Sequence, residues 1–306
     1  MPRLAAFAPM PRVEIIVNSQ GGSFVEDETE ASLRDALEAA GVDGDITLAA
    51  GGDEIFGKAR DSSADILGAA GGDGTINAVA SVALERNKPL AVVPLGTLNH
   101  FAKDIGVQTE LAEAAAAISL GYLKSVDVGE VNGQIFLNNS SIGLYPHIVH
   151  SRERQQERLG RGKWRAAFSA AVEMLRRHPF FRVKLEIDGE ARVYKTPFVF
   201  LGNNEYSMDL YKIGSRERLD AGKLSVYFLR RGGRWGVIRL ILRTLVGTLD
   251  SMKEFEQLTT DSLTIDMRRD RVMVAFDGEV AVMETPLEYR IRPRALQVIV
   301  PHGVPE

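Results

Sequence analysis

A chain of 306 residues, of which 45% are hydrophobic and 25% charged, can bury a sizeable core and fits two domains better than one. Its formal net charge of −4 gives no overall attraction to nucleic acid, so we expect no nucleic-acid partner. The absence of cysteine excludes disulfides, thiolate metal ligands and a cysteine nucleophile. No uninterrupted apolar run approaches the roughly 18 residues typical of a membrane-spanning helix.

The first third of the chain alternates short apolar or β-branched runs with helical patterns. The runs that predict strands are 13–17, 46–50, 66–70 and 90–94. The stretches that predict helices are 26–40, 53–60, 74–86 and 111–120. This alternation is typical of βαβ units, so it predicts an α/β domain whose parallel sheet is covered on both faces.

A glycine-rich turn follows the third predicted strand directly. Residues 71–77 read Gly-Gly-Asp-Gly-Thr-Ile-Asn and lead at once into a helical pattern. Glycine lets a backbone take positive φ and approach a ligand closely, and the N–H groups at a helix start attract an anion. A plain βα turn needs fewer glycines, so the sequence favours a phosphate site. Asp73 is the unusual member, because a carboxylate beside phosphate is repelled unless it binds Mg²⁺ or accepts a proton.

A second corner of the same kind follows the predicted strand at 90–94. Here Gly96-Thr97-Leu98-Asn99 leads into a short helical stretch at 100–105. Parallel strands place the loops at their carboxyl ends along one edge of the sheet, so we expect the two turns to converge on one ligand. Asn18, which follows the first predicted strand, is expected at the same edge.

After about Lys124 the pattern changes to short alternating strands and hairpin turns. Asn132-Gly133 and Asp277-Gly278 are typical hairpin turns. Strands are predicted at 183–187, 224–229, 263–267 and 272–276. We therefore expect an α/β domain over 1–124, a largely antiparallel β domain over 125–290, and a final segment, 291–306, whose strand returns to the first domain.

The segments GGDGTIN at 71–77 and PLGTLNHFAKDIG at 94–106 resemble the diacylglycerol kinase catalytic-domain family of bacterial lipid kinases. Sphingosine and ceramide kinases are relatives of this family. The resemblance covers nearly the whole chain. It implies an N-terminal α/β nucleotide-binding domain, a C-terminal antiparallel β-sandwich that takes the lipid, and ATP in a cleft between them.

The resemblance also implies which residues carry the chemistry. ATP would be the co-substrate, with Mg²⁺ bridging its phosphates through Asp73. A second, structural Mg²⁺ would lie at Asp220. The Asp277-Gly278-Glu279 turn matches the family's D-G-E motif, so either Glu279 or Asp277 would accept the proton of the lipid hydroxyl, unless the tripeptide is a plain hairpin turn. The implied nucleotide-binding residues are Asn18, Gly71, Gly72, Asp73, Gly74, Thr75, Asn77, Gly96, Thr97 and Asn99.

Three positions depart from the family's usual pattern. Ser19 stands where the family usually has proline, which is a minor change. His100 stands where the family usually has aspartate, so the role of that side chain is open. Ala221 replaces the second aspartate of a D-D-G motif, and the loss of one carboxylate is expected to weaken the structural Mg²⁺ site.

A lipid substrate requires an approach to a membrane surface. Residues 152–182 and 230–243 are rich in arginine with interleaved aromatic or apolar residues, which suits a bilayer interface. Ordinary helices with a solvated basic face fit these stretches equally well. Residues 1–12 do not read as a secretory signal. We expect a cytoplasmic protein that works at the inner membrane face, and a homodimer is a further expectation.

Two other functions fit parts of the sequence. NAD kinases share the G-G-D-G-T turn and the two-domain plan, but residues 94–104 and Asn138-Asn139 differ from the second motif and the N-E segment of that family. Asn204-Glu205 keeps this alternative open. His100 and Ala221 motivate the other alternative, a nucleotide- or lipid-binding regulator that has lost turnover.

Overall fold

The computed structural model describes residues 11–21, 26–143, 181–187, 189–206, 216, 218–229 and 255–303. The basic stretches at 152–182 and 230–243 lie almost wholly outside these residues. The chain divides into two compact units, each described below by itself. The first unit comprises residues 1–128, 215–221 and 292–306, and the second comprises residues 129–214 and 222–291.

The described residues form five helices and sixteen strands. In chain order they are β1 (Val13–Asn18), α1 (Glu26–Ala39), β2 (Gly44–Ala49), α2 (Gly52–Asp61), β3 (Ile66–Gly71), α3 (Asp73–Glu85), β4 (Leu90–Pro94), α4 (His100–Asp104), α5 (Leu111–Leu120), β5 (Tyr122–Val131), β6 (Gln134–Phe136), β7 (Asn139–Gly143), β8 (Phe181–Ile187), β9 (Glu190–Thr196), β10 (Phe198–Asn203), β11 (Leu224–Leu229), β12 (Phe255–Thr260), β13 (Ser262–Asp266), β14 (Arg271–Phe276), β15 (Glu279–Glu284) and β16 (Leu287–Val300).

The first unit is the predicted α/β domain. Its strands lie in the order β2-β1-β3-β4 and all pair in parallel. Strands β3 and β4 are buried along their whole length, as expected for central strands of a parallel sheet covered on both faces. The sheet is packed closely, since a Cβ added at Gly68 would lie 2.8 Å from Cγ1 of Ile15 on β1. Among these four strands, the largest shift from a predicted boundary is at β2, which starts at Gly44 rather than at residue 46.

The second unit is an antiparallel β-sandwich, which confirms the predicted fold of this part. One sheet has the order β12-β11-β10-β7-β14-β15, and the other contains β13, β8, β9 and the first part of β16. Alternate side chains of the two sheets meet in one apolar core, to which Val199 and Val274 contribute from the first sheet and Ile265 and Leu287 from the second.

Strand β16 begins in the second unit and ends in the first. In the second unit Arg290 pairs with Ser262 of β13, antiparallel. In the first unit Val298 pairs in parallel with Leu90 of β4. The sequence pattern predicted a strand in the final segment, 291–306, and did not indicate that this strand begins at Leu287. It also gave no sign that residues 215–221 belong to the first unit.

Candidate functional site

Three loops meet at the carboxyl ends of β1, β3 and β4 in the first unit. Gly71 pairs with Pro94 at the ends of β3 and β4, and the N–H of Leu95 donates to the carbonyl of Gly71 at 3.0 Å. From the end of β1, Nδ2 of Asn18 donates to Oγ1 of Thr75 at 3.1 Å. The structure therefore brings the first loop and both glycine turns to one edge of the sheet.

The glycines of the two turns allow close contact between backbones. A Cβ at Gly96 would lie 2.5 Å from Cα of Gly72, and one at Gly71 would lie 2.5 Å from Oγ1 of Thr75. Gly72 itself has a φ of −86°, so the expectation that this turn uses positive φ is wrong. The turns need glycine because a side chain would push them apart.

Helix α3 starts inside the first glycine turn. Gly72 is the N-cap, and no side chain caps the helix start by a hydrogen bond. The first hydrogen bond along the helix runs from the N–H of Ile76 to the carbonyl of Gly72 at 3.0 Å. The amides of a helix's first turn and the positive end of its dipole favour a phosphate. Thr75 and Asn77 are buried in α3, while Gly74 is partly exposed.

Asp73 joins the first turn to helix α4. Its Oδ2 accepts the N–H of His100 and its Oδ1 accepts the N–H of Phe101, each at 3.2 Å. These are the first two residues of α4, so Asp73 caps that helix from outside its own segment. A carboxylate oxygen has more than one lone pair, and Asp73 is partly exposed, so the carboxylate can bind a cation in addition to these amides.

Asn99 closes the second turn and leaves one oxygen without a partner. It has left-handed backbone angles, φ 49° and ψ 48°, and is 2% exposed. Its Nδ2 donates to the carbonyl of Gly96 at 2.6 Å, whereas its buried Oδ1 has no hydrogen-bond partner. Thr97, in the same turn, is exposed.

The donors at this edge fit Mg²⁺ only in company with phosphate. The Asp73 carboxylate and Oδ1 of Asn99 are the hard oxygen donors that Mg²⁺ takes. Among the residues described, no three acidic, histidine or cysteine side chains are grouped so as to hold a metal. Proteins usually bind Mg²⁺ through one or two carboxylates, substrate phosphates and water.

Asp220, predicted to hold a structural Mg²⁺, lies among arginines. Its Oδ1 accepts hydrogen bonds from Nε and Nη2 of Arg218 at 3.2 and 3.1 Å. Its Oδ2 is 3.8 Å from Nη2 of Arg294. Two guanidinium groups repel a cation, so the structure lends this predicted site no support.

The Asp277-Gly278-Glu279 turn lies in the second unit, between β14 and β15. Asp277 and Gly278 have φ of 46° and 91°, as a two-residue hairpin turn requires. The Asp277 carboxylate is buried and accepts the backbone N–H groups of residues 137, 138 and 139 at 2.6, 2.8 and 3.1 Å. These three donors stabilise the ionised carboxylate. Asp277 therefore anchors the hairpin, and the neighbouring Glu279 is exposed.

The first unit buries charged side chains that no sequence pattern indicates. Arg216 pairs with Asp104, 112 positions away, with Nε at 2.8 Å from Oδ2. Asp127 is 1% exposed and accepts the N–H of Arg294, 167 positions away, at 2.7 Å. Contacts between residues so far apart leave no local pattern, so the sequence held no signal for them.

Comparisons with known proteins match the two halves of the chain separately. Residues 12–131 match the model of the diacylglycerol kinase catalytic domain, and residues 149–300 match that of the YegS C-terminal NAD kinase beta sandwich-like domain. A diacylglycerol kinase of Bacillus subtilis is 24% identical over 270 residues, 87% of this chain and 81% of that protein. A protein of Synechocystis sp. is 24% identical over 234 residues, 74% of this chain but only 53% of its own length.

The fold is also that of a solved structure. A crystal structure of a diacylglycerol kinase from Bacillus anthracis superimposes with a TM-score of 0.70, covering 96% of this chain and 98% of that one. The sequence identity is 23%, so this likeness establishes the architecture alone.

Proposed function

Since the chain belongs to the diacylglycerol kinase catalytic-domain family, we propose that it is an ATP-dependent lipid kinase. It transfers the γ-phosphoryl group of ATP to a hydroxyl of diacylglycerol or a similar lipid. The observation that carries this proposal is the contact between the two glycine turns, 71–75 and 96–99, beside the start of α3, which no side chain caps. Such an edge binds phosphate through backbone amides and needs no basic side chain.

The residues of the first unit position the nucleotide. The two turns hold the phosphates, and Asp73 with Oδ1 of Asn99 would hold Mg²⁺ directly or through water. When bound, Mg²⁺ supplies positive charge that offsets the negative charge of the transferring phosphoryl group. Asn18 holds the first turn in place through Thr75. Phosphoryl transfer depends mainly on such positioning and neutralisation of charge.

Glu279 is the proposed acceptor of the lipid hydroxyl proton. The sequence left Glu279 and Asp277 as alternatives. We favour Glu279, because three backbone amides already bind the buried carboxylate of Asp277. Glu279 is exposed at the start of β15 and follows Gly278, as the D-G-E motif requires. A carboxylate of this kind can act as general base for a hydroxyl held by the substrate.

The lipid partner places the reaction at a membrane surface. Among the described helices none is long and apolar enough to cross a membrane. We propose that the protein meets its lipid from the inner face of the membrane. The basic stretches at 152–182 and 230–243 would supply the contact with anionic headgroups.

A soluble dinucleotide is the rival acceptor, and its motif gains no support from the second unit. Asn204, which kept the NAD kinase alternative open in the sequence, is fully buried. Its carbonyl accepts the hydroxyl of Ser225 at 2.6 Å, and its Oδ1 accepts the N–H of Lys223 at 3.5 Å. Glu205 accepts a hydrogen bond from Gln257 at 2.7 Å. Both side chains thus serve contacts inside the unit.

One assay separates these functions. The purified full chain is incubated with γ-labelled ATP and Mg²⁺, together with diacylglycerol in detergent micelles, a total lipid extract, or NAD. Labelled lipid is the expected product. Labelled, phosphorylated NAD together with unlabelled lipid would overturn the proposal in favour of a dinucleotide kinase. Nucleotide binding without label in any acceptor would favour a regulator.

A further inference from the structure

A short segment, residues 215–221, belongs to the first unit although the chain before and after it belongs to the second. Leu219 is buried, and its carbonyl accepts the N–H of Asp127 at 2.7 Å. Asp220 is held by Arg218 and lies 3.8 Å from Arg294. The chain therefore returns to the first unit for a few residues and is fixed there at several points.

The deepest of these contacts is the ion pair between Arg216 and Asp104. Nε and Nη2 of Arg216 lie 2.8 and 2.7 Å from Oδ2 of Asp104. The Arg216 side chain is 0% exposed and that of Asp104 is 7% exposed. Burying two charges costs solvation energy that apolar residues of similar size do not lose. Such a pair is therefore weak evidence for stability and is better explained by the geometry that it fixes.

The Arg216–Asp104 ion pair lies at the end of helix α4. This helix has only five residues, too few to be stable alone. Asp73 accepts the amides of His100 and Phe101 at its start, and Asp104 at its end binds Arg216. Helix α4 follows Asn99 without a gap, so its position also sets that of the second turn, 96–99.

We propose that Arg216 is a positioning residue for the phosphate site. It holds α4 by its last residue and thereby keeps turn 96–99 against Gly72. The inference rests on the proposed function only in taking this edge to be the nucleotide site. Nothing in the local sequence around the glycine turns points to this residue, because its partner lies 112 positions away.

The test uses the full chain in four forms. Arg216→Met leaves Asp104 buried without a partner, and the double variant Asp104→Asn with Arg216→Met removes both charges, so that it folds even if the single variant does not. Arg218→Met is the matched control, since Arg218 lies in the same segment but its side chain is 64% exposed in an ion pair with Asp220. Two quantities are measured in each: amide hydrogen exchange over residues 96–104, and the affinity for ADP with Mg²⁺.

Arg218→Met is expected to match the wild-type chain in both quantities. The double variant is expected to exchange the amides of His100 and Phe101 about tenfold faster and to bind ADP about fivefold more weakly, below its unfolding temperature. A double variant with wild-type exchange and wild-type ADP affinity would overturn the inference, because the pair would then only fill space. A wild-type chain that binds no nucleotide would count against the proposed function, while the exchange rates would still report whether Arg216 holds α4.

Discussion

Asp73 and Asp277 each precede a glycine in a turn, and each carboxylate accepts backbone amides, yet their surroundings differ. Asp277 in the second unit is 6% exposed and has three amide donors at 2.6 to 3.1 Å. Asp73 in the first unit is partly exposed, and it accepts the amides of His100 and Phe101, both at 3.2 Å. The Asp277 carboxylate is buried and bound by amides of its own unit. The Asp73 carboxylate is also bound by amides but is partly exposed.

This difference shows that an Asp-Gly pair does not define a role by itself. In the second unit the aspartate holds a hairpin, and the glutamate two positions later is exposed. In the first unit the aspartate ties two turns together, and the same carboxylate faces the place where phosphate is expected.

Removal of the Asp277 carboxylate should have the largest effect on stability. Asp277→Ala leaves the buried amides of residues 137–139 without an acceptor, and we expect the free energy of unfolding to fall by about 3–5 kcal/mol. Urea denaturation followed by circular dichroism measures this. Asp73→Ala, which removes longer and more exposed hydrogen bonds, should cost about 1 kcal/mol. Equal losses in the two variants would remove the distinction between these aspartates.

Glu279→Gln should affect turnover and leave folding unchanged. If Glu279 accepts the hydroxyl proton, kcat for lipid phosphorylation should fall by about 10²–10⁴-fold. Because the side chain is exposed, the unfolding free energy should stay within about 0.5 kcal/mol of the wild-type value. Glu284→Gln, at the other end of β15 and 76% exposed, is the control and should keep wild-type kcat. Unchanged kcat in Glu279→Gln would remove Glu279 from the proposed chemistry.

A methyl group at Gly96 should weaken nucleotide binding by a smaller factor. Its Cβ would lie 2.5 Å from the backbone of Gly72, so the two turns must separate. We expect the KM for ATP to rise about tenfold, because misplacement of phosphate donors by about 1 Å is costly. Gly57→Ala is the control, since a Cβ there meets nothing within 4 Å and alanine favours the helix. Equal KM values in both variants would show that the contact between the turns is not needed.

Local sequence patterns predicted a large part of this molecule, because local physics decides it. Apolar runs located β1, β3 and β4, and the glycines located both turns, since each signal lies within a few residues. The prediction that the glycines permit close contact was correct, and the prediction that they take positive φ was wrong. Gly72 has a negative φ, and the left-handed residue of the second turn is Asn99.

The remainder depends on contacts between distant parts of the chain. Asp277 binds amides 138 to 140 positions away, and Arg216 binds Asp104 across 112 positions. No spacing rule connects such residues, so the sequence could not tell an anchoring aspartate from a reactive one. Only the folded chain shows that the Asp277 carboxylate is buried and bound by amides, whereas Glu279 is exposed.

The most direct test of the account compares wild-type and Asp73→Asn chains in the transfer of label from γ-labelled ATP to diacylglycerol. The amide of asparagine keeps one acceptor for the start of α4, so thermal unfolding should change by no more than about 5 °C. We predict that the wild-type chain labels the lipid and that the initial rate of the variant is lower by a factor of about 10³ or more. An Asp73→Asn chain that labels diacylglycerol at the wild-type rate would contradict the assignment of Asp73 to the phosphoryl-transfer site.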